Sequence, residues 1–145
     1  MRLPGNALAV IAVLFAGSAL AQSPMPLPPD PSGATTFVMP SGNIACIYTP
    51  AGGSSVYVPV DGGPELACDI AEPNYLRLVL ADNGPAQLLN GVSDPSCCGG
   101  TTTLPYGQWA FLPPFVCRSG QSGLTCQHNT TGHGFFMSKA QIQAY

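Results

Sequence analysis

Six cysteines in a chain of 145 residues constrain the fold more than any other feature: Cys46, Cys68, Cys97, Cys98, Cys117 and Cys126. An even number in a small exported domain reads as a disulfide framework, so the fold must bring distant segments within bonding reach. The number alone does not choose the pairing. Cys117 and Cys126 flank Arg-Ser-Gly-Gln-Ser-Gly-Leu-Thr, a glycine-bearing turn between strand-like runs, which suits a bond across a hairpin. Cys46 and Cys68 flank a second strand–turn–strand stretch and are the next natural pair. Cys97 and Cys98 remain, as a vicinal disulfide or as two thiols. If bonded, they are the most plausible redox-active spot, because a strained disulfide is the more easily reduced. Metal binding is the rival reading. Paired C-x2-C zinc spacing is absent, but Cys126, His128 and His133 cluster and are candidate copper or zinc ligands, provided Cys126 is not tied to Cys117.

Such a framework needs an oxidising compartment, and the N-terminus supplies a route to one. Met1 and Arg2 form a short positive region, residues 8–16 are apolar, and Ala19-Leu20-Ala21 presents small residues where a signal peptidase reads. Residues 1–21 are therefore expected to be a cleaved signal peptide and the protein to be periplasmic or secreted. The apolar run is too short to span a bilayer comfortably, so no membrane span is expected after cleavage. Residues 22–35 are proline-rich and read as an extended spacer with nothing to pack. Residues 36–145 form the single disulfide-stapled domain.

With 17 glycines and 16 prolines, long helices are disfavoured and short strands joined by tight turns are favoured. Strand patterns fall at 37–39, 44–48, 55–60, 65–70, 75–80, 87–89, 101–104, 108–112, 115–118, 124–129 and 134–137, with turn signals roughly every eight to twelve residues. The expected fold is mainly β: a small antiparallel sandwich or barrel. Ser138 followed by Gln141 has the form of a capping box, so a short C-terminal helical segment over 138–145 is also expected. No internal repeat is visible.

Loss of Arg2 with the leader leaves Arg77, Arg118 and Lys139 against seven acidic groups. No basic stripe is available for nucleic acid and no polybasic patch for anionic lipid. No cofactor loop is present. His133, in Gly-His-Gly, is a weak general-base candidate and more readily a turn residue bonded to backbone. Ser41-Gly42-Asn43 reads as turn chemistry, not a nucleophile elbow. Asp61, Glu65, Asp69, Glu72, Asp82 and Asp94 mostly lie in or beside turns; a glycosidase pair among them is the alternative to simple solvation. Tyr106 and Trp109, with Phe111 and Phe115, are a weak binding patch or part of the core.

The block Phe37-Val38-Met39-Pro40-Ser41-Gly42-Asn43-Ile44-Ala45-Cys46 and the later Gly123-Leu124-Thr125-Cys126 and Gly132-His133-Gly134-Phe135-Phe136-Met137-Ser138-Lys139 resemble a family of small exported bacterial proteins known as domain of unknown function 6636. Cys68-Asp69-Ile70 and Leu104-Pro105-Tyr106-Gly107 extend the resemblance over nearly the whole domain. It implies an extracytoplasmic, disulfide-bearing domain with no assigned activity. The chain departs from that pattern at 78–84, where relatives carry a cysteine before Asp-x-Gly and this sequence has none. The cysteine's usual partner aligns with Cys97, so the resemblance leaves Cys97 and Cys98 as a vicinal bond or a free pair. The leading expectation is a non-catalytic interaction module of the bacterial envelope, binding a protein or glycan. A small hydrolase or thiol–disulfide protein is the alternative, and a structural envelope component the third.

Overall fold

A computed structural model of the protein describes residues 21–95, 97–100 and 102–145. Apart from Ala21, the expected leader lies outside the described residues. The first five strands are β1 (Thr35–Val38), β2 (Ile44–Thr49), β3 (Glu65–Ile70), β4 (Leu76–Ala81) and β5 (Gln87–Asn90). The second five are β6 (Trp109–Leu112), β7 (Phe115–Gly120), β8 (Gly123–His128), β9 (Gly134–Met137) and β10 (Ile142–Ala144). Each set forms its own five-stranded antiparallel sheet, with strands adjacent in chain order. The expected sandwich or barrel thus resolves into two open sheets rather than one closed barrel.

Alternation decides which face of each sheet is buried. Leu66, Cys68 and Ile70 of β3 point to the core while Glu65, Ala67 and Asp69 point away. In the second sheet Phe115 and Cys117 of β7 and Leu124 and Cys126 of β8 reach the same core. Phe37, Phe115 and Phe135 are fully buried within it. Each such side chain contributes about 1.5–3 kcal/mol of hydrophobic stabilisation.

Two disulfides lie inside this core. Cys46 opposes Cys68 across β2–β3, and Cys117 opposes Cys126 across β7–β8, each with Cα atoms 4.1 Å apart. That is the close approach of directly opposed antiparallel residues. Cys97 and Cys98 are bonded to each other.

Although no repeat is visible in the sequence, the two sheets repeat one plan. In each, the bond joins the third residue of the second strand to the fourth residue of the third strand. The next strand then places Leu78 opposite Cys68 and Phe135 opposite Cys126.

Three expectations are corrected. Residues 138–145 are not helical: the Ser138 amide donates to Gln141 O, the Gln141 amide returns to Ser138 Oγ, and the turn delivers β10 to the open edge of β9. A short isolated helix gains little in water, whereas a free sheet edge offers hydrogen bonds and packing. Residues 55–60 are not a strand, because β2 and β3 already pair from Thr49–Glu65 inward and leave 50–64 as their connecting loop. The proline-rich stretch does find packing: the Met25 amide donates to Trp109 O at 2.7 Å, and Met25 and Leu27 rest on the core.

Candidate functional site

The outward face of the first sheet is hollow. Register sets three parallel rows across it. Ala45, Asp69, Arg77 and Leu89 form one row, Ile47, Ala67, Val79 and Gln87 the next, and Thr49 and Glu65 the third. The middle row is mostly apolar, and the small side chains of Ala45 and Ala67 leave a depression between bulkier neighbours. The resulting cavity is about 500 Å³. That size, with a mainly apolar lining and a few polar groups, is typical of a small-molecule site.

Two connections form its walls. After β5 the chain must reach the second sheet, and it does so past the charged row. Asp94 and Cys97 line the cavity there. Beyond them the chain lies along the free edge of β1, where the Val38 amide donates to Thr102 O and the Leu104 amide to Val38 O. This strap is pinned to the sheet. Asp69 accepts Arg77 Nε at 2.6 Å and Nη2 at 2.9 Å, and also accepts the Tyr75 hydroxyl. Arg77 Nη1 reaches Asp94 Oδ1 at 3.1 Å, and the Cys97 amide donates to the Tyr75 hydroxyl oxygen at 2.9 Å. Cys97 Sγ lies 3.7 Å from the carbonyl oxygens of Asn43 and Asp69. Hydrogen bonding to Asp69 holds the Arg77 guanidinium above its ordinary pKa, so it is a permanent cation.

The opposite wall is the 50–64 loop. The Ser54 amide and hydroxyl both donate to Tyr57 O, while Ser54 Oγ accepts the Val56 and Tyr57 amides. Gly53 makes this turn possible. Its φ is +92°, and a Cβ there would lie 2.7 Å from Val58 Cγ2 and 2.8 Å from Tyr57 O. The turn presents Tyr57, whose hydroxyl donates to Glu65 Oε1 at 2.9 Å. Burial, with the bond to Glu65 second, raises the phenol above its usual pKa, so Tyr57 remains a neutral donor. Of the large apolar side chains left exposed, Ile47, Val56, Tyr57 and Leu89 all line this cavity.

The candidates singled out from the sequence are scattered. Glu65, Asp69, Asp94 and Cys97 meet at the cavity. Asp61 accepts the Gly63 amide within its own turn, and Glu72 pairs with Lys139 at 3.0 Å. His128 is buried: Nδ1 accepts the Thr130 and Thr131 amides, and Nε2 lies 3.2 Å from Asp82 Oδ1. That pattern selects the Nε2–H tautomer and leaves no free lone pair for a metal. Cys126 is bonded to Cys117. Among the described residues no group of three histidines, cysteines or carboxylates is placed to hold a metal. His133 sits in the β8–β9 turn, its carbonyl accepting the His128 amide and its own amide donating to Thr131 Oγ1, and it does not line the cavity.

Ser41 and Asn43 satisfy turn groups. Ser41 Oγ accepts the Asn43 amide, and the Asn43 side chain both donates to Glu72 O and accepts the Glu72 amide. Trp109 lies on the second sheet, its indole donating to Gln22 O at 2.8 Å and its ring 5.5 Å from the Arg118 guanidinium carbon. Tyr106 and Phe111 are exposed, whereas Phe115 is core. No motif in the sequence marks the hollow sheet face. Its one legible trace is the small residue at the centre of Ile-Ala-Cys-Ile and of Leu-Ala-Cys-Asp, two alanines on the face away from each cysteine.

Comparison with protein-family models, with curated proteins and with solved structures found no match. The described residues contain no helix long and apolar enough to cross a membrane.

Proposed function

We propose that this protein is an exported binding module of the bacterial envelope, and that it holds a small, largely apolar ligand in the hollow on the outer face of its first sheet. The observation that carries this reading is the convergence of exposed apolar side chains on one walled cavity. Such side chains gathered on a single surface mark a recognition site far more often than scattered ones do. The walls are tied to the floor by Arg77–Asp94, Tyr75–Cys97 and Tyr57–Glu65, so the cavity exists before anything binds and little ordering is required. Export is supported by the leader-like N-terminus and by three disulfides, which persist in oxidising compartments.

The test is titration with an apolar fluorophore such as phenylnaphthylamine, whose emission rises on burial. Ala67→Trp fills the middle row and is expected to abolish the signal while circular dichroism and melting stay close to the parent. Equal fluorophore binding by parent and variant would sink the proposal. A second reading, thiol–disulfide exchange at Cys97–Cys98, is favoured by the partial exposure of both residues and by Cys97 lining the cavity.

A further inference from the structure

The charges around the hollow say what kind of molecule fits it. Three carboxylates line it, Glu65, Asp69 and Asp94, against a single cation, Arg77. Arg77 is already committed, donating two bonds to Asp69 and two to Asp94. The other basic side chains of the domain are engaged elsewhere, Arg118 over Trp109 and Lys139 with Glu72. An anionic headgroup would therefore meet net negative charge with no unpaired cation to receive it. At the opposite end Tyr57 on the wall meets the Glu65 carboxylate on the floor, and the Tyr57 hydroxyl occupies only one Glu65 oxygen. An aromatic face beside a carboxylate is a general recognition arrangement for ammonium groups.

We infer that the hollow takes an amphiphile bearing one positive charge, its apolar body along Ile47, Ala67, Val79 and Leu89 and its ammonium group against the Tyr57 ring and the Glu65 oxygen that the Tyr57 hydroxyl does not occupy. This rests on the binding reading above and adds the ligand class and its orientation. The ligand is a small free molecule, because the cavity volume of about 500 Å³ matches one. Attraction at a partly exposed carboxylate is modest and screened, so the gain from charge is real but limited.

The inference is tested by calorimetric titration of the chain from Gln22 onward with three probes that share an octyl chain: octyltrimethylammonium, octyl glucoside and octyl sulfate, each below its micelle-forming concentration. The ammonium probe is expected to bind about tenfold more tightly than the glucoside, with the sulfate weakest. Added salt should narrow the gap. Glu65→Gln should erase the preference for the ammonium probe over the glucoside, Glu65→Asp should keep the ranking, and Tyr57→Leu should reduce it. Equal affinity for all three headgroups, or an unchanged ranking in Glu65→Gln, overturns the cationic class and leaves the binding reading standing. Failure of every probe to bind overturns both.

Discussion

Tyr48 shows how much one side chain decides here. Its hydroxyl donates to Pro113 O at 2.7 Å and its ring meets Phe115 edge-on at 6.3 Å, so it ties β2 to the turn between β6 and β7. Tyr48→Phe is expected to lower unfolding free energy by about 1 kcal/mol at neutral pH, read by denaturant titration. Burial raises the Tyr48 phenol above its ordinary value of 10.0. Its contribution is therefore complete below pH 10 and is lost as pH rises through the folded value, because only the unfolded chain ionises readily in that window. Melting temperature measured upward from neutral pH should fall above about pH 10, and less steeply in Tyr48→Phe. Asp69 and Arg77 have the larger effect. Their side chains are 7% and 18% exposed. Arg77→Met strands a buried carboxylate and should cost about 3 kcal/mol, whereas a loss under about 1 kcal/mol would show that water reaches Asp69. At this scale the sequence could name His128 but not its role. Its neighbours Cys126 and His133 suggest a metal, but two amides of its own turn fill Nδ1 and only the fold brings Asp82 to Nε2.

Between residues and whole sheets, the connections carry the site. Within the 50–64 loop, Val56, Val58 and Val60 alternate with other residues, the pattern of a strand. They are 80%, 59% and 104% exposed, since no sheet edge lies beside them. β-propensity is realised only where a partner strand exists. Gly53→Ala forces a side chain into a left-handed backbone and against Val58, and should displace the Tyr57 turn. Several-fold weaker binding of an octyl probe, with melting nearly unchanged, is expected. Undiminished affinity would show that the turn does not shape the wall. In the strap, 102–104 carries part of a strand pattern yet belongs to no named strand, meeting β1 only through the isolated Thr103–Val38 bridge, and nothing in the sequence marks the strap as a wall. Its placement depends on β5 and β6 lying in different sheets, so the chain between them must pass the charged row.

For the whole molecule the disulfides divide into two kinds. Cys46–Cys68 and Cys117–Cys126 link residues 22 and 9 positions apart and lie in the core. Replacing either pair by alanine should cost about 2–4 kcal/mol. Cys97–Cys98 closes no loop beyond one peptide, so its double alanine variant should change global unfolding little. The strap's hold on the cavity rim is the property it should alter, seen as weaker probe binding. Accessibility separates the same bonds: the core sulfurs are shielded, while the vicinal pair is half buried. Mild reductant followed by alkylation and intact-mass measurement should therefore label Cys97 and Cys98 first. Labelling of the core pairs at the same rate would contradict this fold.

The residues by themselves determine the short-strand architecture, because frequent glycine and proline leave no room for long helices and alternation marks the inward face of most strands. They also favour the two cross-strand disulfides, since each pair sits on two strand-like runs that flank turn-rich sequence. Tertiary structure alone decides the rest. The repeated plan of the two sheets is held in register and bond position rather than in matching residue types. The hollow exists because four separate strands bring Ala45, Ala67, Val79 and Leu89 onto one face, a neighbourhood that no local pattern encodes. Of the cysteines that first constrained the fold, Cys46 and Cys68 lie on the opposite side of that sheet and brace the floor of the hollow, while Cys97 lines it.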